Sequence, residues 1–316
     1  MCGICGFTGY RQDQKTVIER MMKAIEHRGP DSEGSFCREK ITLGFRRLSI
    51  IDLEDGQQPM ESADGNLHIV FNGEIYDYKE LRAELETFGI SFCTHSDTEV
   101  LVNTLQQYGE KALDKLRGMF GFAVWNEKEQ TLMLARDFFG IKPVYYAEID
   151  GHFVFASEIK SILAFPGYER KVNQKALEQY LSFQYSPLEE TFFKGIYKLM
   201  PGHMLLYKNG SYEIKTYFKT KLTPGKWNRK TNMDQLRSQL AEILKDSVKH
   251  HMLSDVEVGA FLSGGVDSGY LASSSGADQA FTVGFDEGDR YSEVNKAAKV
   301  AEKAGLKHHV KIISKQ

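Results

Sequence analysis

The sequence MCGICGF, residues 1–7, opens the chain and places a cysteine directly after the initiator methionine. Cys2 is small enough for Met1 to be removed, which would leave a thiol and a free α-amine on one residue. An α-amine with a pKa of about 7.7–8.0 can accept the proton of a thiol with a pKa of about 8.5. Such a residue carries both a nucleophile and a base. Taken alone, a cysteine at position 2 is more often an ordinary small residue, so whether Cys2 is a nucleophile must be judged from the rest of the sequence.

The composition indicates a globular protein that is long enough for two domains. The chain has 316 residues, of which 41% are hydrophobic and 26% are charged, so it can bury a sizeable core. Its net charge of −3 gives no basic field for nucleic acid. Four cysteines, no signal peptide and no long apolar run favour a soluble protein of the cytoplasm, with no membrane partner. The single C-x-x-C, Cys2 to Cys5, is a weak metal or redox signal because a structural zinc site needs a second pair.

Residues 1–219 carry the pattern of an α plus antiparallel β domain. Apolar residues one turn apart predict helices over 16–25 and 78–88, and the S-x-x-E sequence from Ser96 to Glu99 predicts a capping box at a third helix. The Asp64-Gly65 pair predicts a hairpin whose return strand ends at Asn72-Gly73. Strands are predicted over 41–51, 67–71, 120–126, 131–137, 144–148, 152–157, 204–207 and 212–217, with turn residues such as Asp150-Gly151 and Asn209-Gly210 between them.

A polar stretch over 220–232, which contains Pro224 and Gly225, predicts a linker between two domains. Beyond it, a long amphipathic helix precedes strands predicted at 256–262, 280–285 and 309–313, with helical segments between them. Alternation of strand and helix is typical of a parallel α/β sheet. We therefore predict a first domain over 1–219 and a second over 233–316.

The segment Ser263–Ser268, of sequence SGGVDS, joins a predicted strand to a predicted helix. Its two glycines let an anion approach the unpaired N–H groups at the helix N-terminus. The segment lacks the lysine of a Walker loop, which favours a loop that grips pyrophosphate, with Asp267 available for Mg²⁺. The alternative is a tight strand-to-helix turn without a ligand, but six residues in this context favour phosphate.

Arg47, Asn72-Gly73 and Asp97 join Cys2 as a second group of candidate site residues. Each has an ordinary explanation: a surface ion pair, a turn, or a favourable charge at a helix N-terminus. Together they supply a thiol, a two-donor oxyanion site, a guanidinium for an α-carboxylate and a carboxylate for an α-ammonium. These are the groups that glutamine hydrolysis requires.

Six segments of the first part resemble the glutaminase domain of class II, N-terminal-nucleophile amidotransferases: MCGICGF, HRGPD, RRLSIID, FNGEIYD, SDTE and RDFFGIKPVYY. FLSGGVDS followed by FTVGF resembles the pyrophosphatase loop and the next strand of asparagine synthetases. The order and spacing are similar to those of the glutamine-hydrolysing asparagine synthetase family. This resemblance implies an α+β four-layer αββα sandwich, followed by the start of an α/β parallel-sheet ATP-pyrophosphatase domain.

The resemblance also implies a role for each matching residue. Cys2 would be the nucleophile, and the Asn72 side chain with the Gly73 N–H would form the oxyanion hole. Arg47 and Asp97 would hold the two charged ends of glutamine. The remaining glutamine contacts would be Glu74 and the backbone of Leu48, Ser49, Ile50 and Ile51. The ATP contacts would be Leu262, Ser263, Gly264, Gly265, Val266, Asp267, Ser268 and Val283, with Asp267 towards Mg²⁺. The loop 27–31 would shape the surroundings of the nucleophile.

In the reaction that the resemblance implies, ATP activates aspartate as an adenylate, which ammonia from glutamine then amidates. A homodimer is compatible with it. Two departures from the family stand out: Gly269 replaces a frequent hydroxyl residue, and no second acidic loop or aspartate site follows. We therefore expect the second domain to be incomplete and its ATP site to be weak. Other readings are an amidotransferase for another carboxylate such as a cell-wall precursor, a stand-alone glutaminase, and a non-catalytic regulator that binds glutamine or nucleotide.

Overall fold

The protein is described by a computed structural model that covers residues 1–50, 52, 55–221, 232–286 and 292–314. It divides into two compact units, residues 1–221 and 222–316. The helices of the first unit are α1 (Gln14–Lys23), α2 (Tyr78–Thr87), α3 (Asp97–Tyr108), α4 (Ile159–Leu163) and α5 (Gln174–Phe183). Its strands are β1 (Gly3–Thr8), β2 (Ser32–Cys37), β3 (Ile41–Arg47), β4 (Met60–Glu61), β5 (Leu67–Ile75), β6 (Gly118–Asn126), β7 (Thr131–Arg136), β8 (Tyr145–Ile149), β9 (His152–Ala156), β10 (Ile196–Lys198), β11 (His203–Lys208) and β12 (Ser211–Thr216).

The strands of the first unit form two six-stranded antiparallel sheets. Sheet A has the order β10-β8-β9-β1-β3-β2, and sheet B has the order β12-β11-β7-β6-β5-β4. Two hairpins predicted from turn residues are confirmed. Asp150-Gly151 joins β8 to β9 with φ of 48° and 79°, and Asn209-Gly210 joins β11 to β12 with φ of 51° and 82°. Positive φ at both positions gives the turn the twist that antiparallel strands need, which explains these residue pairs.

Alternation along β1 shows how sheet A is buried on both faces. Ile4 belongs to a core cluster with Val70 and Trp125 of sheet B. Cys5 and Phe7 point to the opposite face, where Phe7 packs with Ile18 of α1. Side chains of a strand point alternately to its two faces, so β1 joins sheet B on one side and α1 on the other. This double burial fixes the start of the chain beside β3.

The structure corrects the predicted course of the chain around Asn72-Gly73. The strand predicted over 41–51 ends at Arg47, and the segment 67–71 does not return beside it. Instead, Asp64-Gly65 turns the chain from β4 to β5, which pairs with β4 and β6 in the other sheet. β5 continues through Asn72 and Gly73 to Ile75, so these two residues are not a turn. Pairing with the distant β6 decides their conformation, and a local pattern cannot report it.

The second unit contains α6 (Met233–His251), α7 (Val266–Ser274) and α8 (Val294–Ala304), with strands β13 (Ala260–Phe261), β14 (Gln279–Phe285) and β15 (Lys307–Ile313). The strands pair in parallel in the order β13-β14-β15. Of the strand predicted over 256–262, only Ala260–Phe261 pairs in the sheet. Ala297 and Ala301 of α8 pack with Ala280 of β14. The predicted linker falls mostly outside the described residues.

Among the residues that the structure describes, no helix has both the length and the apolar composition needed to cross a membrane.

Candidate active site

A cavity of about 50 Å³ in the first unit brings together most of the residues predicted to bind glutamine. The predicted residues that line it are Cys2, Arg47, Leu48, Ile50, Asn72, Gly73, Glu74 and Asp97. They come from the chain before β1, the end of β3 and the residues after it, the C-terminal half of β5 and the start of α3. Ser49 is not part of the lining, and its N–H donates to the Asp31 carboxylate at 2.8 Å. Ile51 lies outside the described residues.

The Cys2 thiol is held against the chain that follows β3. Its Sγ lies 3.4 Å from the Leu48 nitrogen and 3.5 Å from the Leu48 oxygen. The Arg28 Nε donates to the Cys2 carbonyl oxygen at 2.9 Å, and Arg28 Nη1 donates to Glu158 at 2.9 Å. This contact agrees with a shaping role for the loop 27–31. Burial raises the pKa of the Cys2 thiol, so the thiol needs a nearby base to become a nucleophile.

Met1 forms part of the wall of this cavity. Its Sδ accepts a hydrogen bond from Lys142 Nζ at 3.4 Å. The cavity, with a volume of about 50 Å³, has room for only a few water molecules, and Met1 takes up part of its wall. Burial also lowers the pKa of the Met1 α-ammonium, which shows that this position disfavours a charged amine. Removal of Met1 would enlarge the cavity and leave a free α-amine on Cys2.

The Asn72 side chain has an unused donor in the cavity wall. Asn72 is 1% exposed, and its Nδ2 has no hydrogen-bond partner among the described residues. A buried N–H group without a partner costs roughly 1–3 kcal/mol. Such a donor is suited to an oxygen that a ligand brings into the cavity.

The Gly73 N–H lies on the edge of β5 that also carries the Phe71 and Ile75 N–H groups. N–H groups two residues apart point to the same edge of an antiparallel strand. On this edge the Phe71 N–H donates to the Gln58 side chain at 2.6 Å, and the Ile75 N–H donates to Asp97 Oδ2 at 3.0 Å. The Gly73 N–H lies between these two. A Cβ at Gly73 would lie 2.2 Å from the Met119 carbonyl oxygen, so the strand pairing admits only glycine.

Asp97 is the first residue of α3 and is almost fully buried, with 6% of its surface exposed. Ser96 caps the helix by accepting from the Thr98 N–H at 3.1 Å. The predicted capping box is wrong in its second half, because the Glu99 carboxylate accepts from the Cys93 and Thr94 N–H groups instead. Burial, with the nearby Glu74 charge, raises the pKa of Asp97 to about 7. A cationic ligand would favour its ionised form.

Because the folded pKa of Asp97 is raised above its usual 3.8, the unfolded chain ionises first as the pH rises. Between about pH 4 and 7 the free energy of unfolding should therefore fall, by about 1.4 kcal/mol per pH unit. The cost persists above pH 7. Asp97→Asn should remove it, so the variant should gain melting temperature over the unmodified chain at pH 8 and gain little at pH 4.5. Trp125 fluorescence in a Trp227→Phe background follows the first unit, and equal gains at both pH values would contradict the expectation.

Arg47 ends β3 with 4% of its surface exposed. Its guanidinium contacts the Asp52 carbonyl oxygen, and its own carbonyl oxygen accepts from the Asp31 N–H at 3.0 Å. A guanidinium fixed in this way at the cavity wall can bind a carboxylate through two parallel hydrogen bonds.

Gln58 and Lys142 are among several residues of the cavity wall for which the sequence predicts no role in the site. Gln58 takes the place of a strand partner: its side chain accepts from the Phe71 N–H and donates to the Phe71 carbonyl oxygen at 3.2 Å. It also donates to Thr98 Oγ1 at 3.1 Å, which ties β5 to α3. No sequence pattern marks this role. Lys142 lies within RDFFGIKPVYY, one of the segments that carry the resemblance, but the resemblance implies no role for Lys142.

In the segment Ser263–Ser268 of the second unit, residues 263–265 lie in the loop between β13 and α7, and residues 266–268 form the first turn of α7. Gly264 has a φ of +74°, and a Cβ there would lie 2.6 Å from Lys296 Cβ, so only glycine fits. Ser263 Oγ and Ser268 Oγ lie 2.8 Å apart. No side chain caps α7, so the N–H groups of its first turn are open to an anion. The loop therefore fits a phosphate group.

The structure gives less support for the other residues predicted to bind ATP. Leu262 is buried, and Val283 lies on β14 in a cavity of about 440 Å³ with Phe261 and Phe281. The loop 263–268 does not line that cavity. Asp267 is exposed, and the described residues contain no group of three or more His, Cys, Asp or Glu placed to hold a metal. One carboxylate fits Mg²⁺ only together with nucleotide phosphates and water.

Comparisons with known proteins agree with the two-part organisation. The family described as glutamine amidotransferase domain matches residues 1–218, and the family described as asparagine synthase matches residues 239–316. The chain is 43% identical over 324 residues to glutamine-hydrolyzing asparagine synthetase 1 of Bacillus subtilis, with 98% of this chain and 50% of that protein covered. It is 32% identical over 344 residues to amidase chry2 of Gibberella zeae, with 98% and 50% covered.

Among solved structures, a glutamine phosphoribosylpyrophosphate amidotransferase from B. subtilis in complex with ADP and GMP matches with a TM-score of 0.53 and 18% identity. The match covers 98% of this chain and 65% of that one, and at this identity it shows a shared fold. The chain belongs to the glutamine amidotransferase domain family. Its resemblance to glutamine-hydrolysing asparagine synthetases is confirmed, and it spans about half the length of the curated relatives it matches.

Proposed function

We propose that the first unit hydrolyses glutamine to glutamate and ammonia, with Cys2 as the nucleophile after removal of Met1. The observation that carries the proposal is the unpartnered Asn72 Nδ2, buried in the same cavity as the Cys2 thiol. Glutamine fits this cavity by chemistry: Arg47 would bind its α-carboxylate, and Asp97 with Glu74 would bind its α-ammonium. The backbone of residues 48–51 would complete the pocket.

In the proposed reaction, the α-amine of Cys2 takes the thiol proton and Sγ attacks the carboxamide carbon of glutamine. The C=O electron pair moves to oxygen, where Asn72 Nδ2 and the Gly73 N–H donate hydrogen bonds. The α-ammonium then gives its proton to the amide nitrogen, the C–N bond breaks and ammonia leaves. Water adds to the remaining thioester with help from the same amine, which releases glutamate and restores the thiol.

We further propose that the first unit is a glutaminase domain over 1–219 with a four-layer αββα arrangement. The packing of α1 on sheet A and of α3 beside β5 of sheet B supports this arrangement, as does the shared core between the sheets. Residues 220–232 would be a linker. Residues 233–316 would be part of an ATP-pyrophosphatase domain with a parallel sheet, which the parallel pairing of β13, β14 and β15 supports.

For the protein as a whole we propose glutamine-dependent asparagine synthesis in the cytoplasm, with glutamine, aspartate and ATP as substrates. Ser263–Ser268 would hold the phosphates, Leu262 and Val283 would border the nucleotide, and Asp267 would face Mg²⁺. Bound ATP supplies the activation of the aspartate carboxylate. No nucleic acid or membrane partner is proposed, and a homodimer is compatible with this function.

An amidotransferase for a different carboxylate is the second candidate, because relatives with similar coverage carry different names. A stand-alone glutaminase and a non-catalytic regulator are the remaining alternatives. Incubating the purified chain with glutamine and measuring glutamate and ammonia tests the first unit. Glutamate release that requires Cys2 would dismiss a regulator, and no release from a chain that begins at Cys2 would refute the proposal. Supplying candidate carboxylates with ATP to the parent enzyme would identify the acceptor.

Replacing Arg47 with alanine should mainly raise KM for glutamine, by about tenfold to a hundredfold, because a carboxylate contact persists equally in the ground and transition states. Steady-state glutamate release at varied glutamine concentration measures this. Arg38→Ala is the matched control, since Arg38 is an exposed arginine outside the cavity lining. A fall in kcat with an unchanged KM would show that Arg47 has a different role.

A further inference from the structure

Lys142 places a buried positive charge in the wall of the cavity that holds Cys2. Its side chain is 6% exposed. Within the described part of the chain, the one hydrogen-bond partner of its Nζ is Met1 Sδ at 3.4 Å. A thioether sulfur is only a weak acceptor, and burial lowers the pKa of Lys142, although the nearby Glu74 charge opposes this shift. Removal of Met1 would also take that partner away and leave the charge facing the start of the chain.

The loop that carries Lys142 is fixed from both sides. The Arg136 guanidinium donates to three carbonyl oxygens, those of Lys142 at 2.8 Å, Leu199 at 2.7 Å and Gly140 at 2.7 Å. The Asp137 carboxylate accepts from four N–H groups, those of Phe120, Phe139, Ile141 and Lys142, at 2.9 to 3.2 Å. These contacts fix the backbone of Lys142, so the residue cannot leave the cavity wall without breaking them.

We propose that Lys142 is a positioning residue of this site, whose ammonium keeps the α-amine of Cys2 in its neutral, proton-accepting form and favours the thiolate. This inference rests on the proposed function, which needs that amine as a base. The same repulsion makes the α-ammonium, once formed, a better donor of its proton to the departing amide nitrogen. One charge thus assists both proton transfers of the reaction.

The other charges near Cys2 differ in what they can do. Burial lowers the pKa of the α-ammonium at position 1, and the Arg28 and Lys142 charges lower it further. Arg28 also forms an ion pair with Glu158 at 2.9 Å, which offsets part of its charge. The charged groups that face the amine, the thiol or Lys142 are Arg28 and Asp31 around the loop 27–31, Arg47 on β3, Glu74 on β5 and Asp137 after β7. Among these cations, Lys142 is the one whose charged group has Met1 Sδ as its only hydrogen-bond partner in the described part of the chain.

The test compares Lys142→Met, Lys142→Gln and Lys142→Arg in chains shown by mass spectrometry to begin at Cys2. Iodoacetamide alkylation of Cys2 and kcat/KM for glutamine are each measured from pH 5 to 9. Loss of the charge should move the lower pH limb of both profiles upward by about one pH unit, whereas Lys142→Arg should keep it near the original position. Lys128→Met is the control, since Lys128 is exposed in the turn after β6, and it should leave both profiles unchanged.

A lower limb that stays in place in both neutral variants would overturn the inference, as would a shift in Lys142→Arg as large as in Lys142→Met. Circular dichroism identifies a neutral variant that fails to fold, and the other neutral variant then carries the comparison. The alkylation profile does not depend on glutamine. If the unmodified chain released no glutamate, the proposed function would fail while alkylation would still decide the role of Lys142.

Discussion

Replacing Cys2 with alanine is expected to lower glutamine hydrolysis by about 10⁵-fold or more, the scale of losing the nucleophile in other covalent catalysts. The thiol lies in the wall of the cavity that most of the predicted glutamine-binding residues line. Alanine removes the atom that forms the covalent bond and leaves Arg47, Asn72 and Asp97 in place. Glutamine binding should therefore survive, which calorimetry can measure beside the lost glutamate release.

The same loss should follow when the start of the chain is blocked. A tag joined ahead of Met1 keeps Met1 in the cavity wall and leaves the Cys2 nitrogen in a peptide bond, where it cannot accept a proton. A protease site that leaves Cys2 as the first residue should restore activity from the same preparation. Cys93→Ala is the matched control, because this cysteine is exposed and unpaired in any disulfide, and it should retain full activity. An uncleaved fusion with full glutaminase activity would contradict the N-terminal mechanism.

Most of the helices and strands are predicted from the sequence because their signals are local, but the pattern predicts neither α4 nor α5. The Asp150-Gly151 and Asn209-Gly210 turns need positive φ at both positions, and few residue pairs supply it. Asn72-Gly73 shows the limit of such signals. The same type of pair lies inside β5, where pairing with β6 and a close approach of Met119 demand glycine for a different reason. Only the long-range partner separates the two cases.

The candidate site was predictable where one residue type carries one chemical task, as for the Cys2 thiol and the Arg47 guanidinium. The supporting residues were not, because their roles depend on what surrounds them. Gln58 acts by replacing a strand partner of Phe71, and Lys142 depends on a loop tied by Arg136 and Asp137. The raised pKa of Asp97 also follows from burial that appears only after α3 packs beside β5.

Replacing Asn72 with alanine is expected to lower kcat for glutamine hydrolysis by about 10²–10³-fold, the usual cost of one oxyanion donor. KM should change little, because the donor acts on charge that develops only in the transition state. The stability of the first unit should change less than in most core substitutions. The Asn72 Nδ2 has no partner to lose among the described residues, so removing it also removes an unsatisfied buried group.

This combination separates a catalytic donor from a structural asparagine. Asn103 is the matched control: it is equally buried, but its side chain donates to the Glu99 carbonyl oxygen at 2.9 Å and accepts from the Ala63 N–H at 2.8 Å. Asn103→Ala should therefore lower the free energy of unfolding by about 1–3 kcal/mol, which appears as a lower urea midpoint. It should leave kcat within a few-fold of the original. Asn72→Ala should instead lower kcat and leave the urea midpoint close to the original value. A large loss of stability in Asn72→Ala with an unchanged kcat would show that the side chain holds β5 together and does not serve the oxyanion.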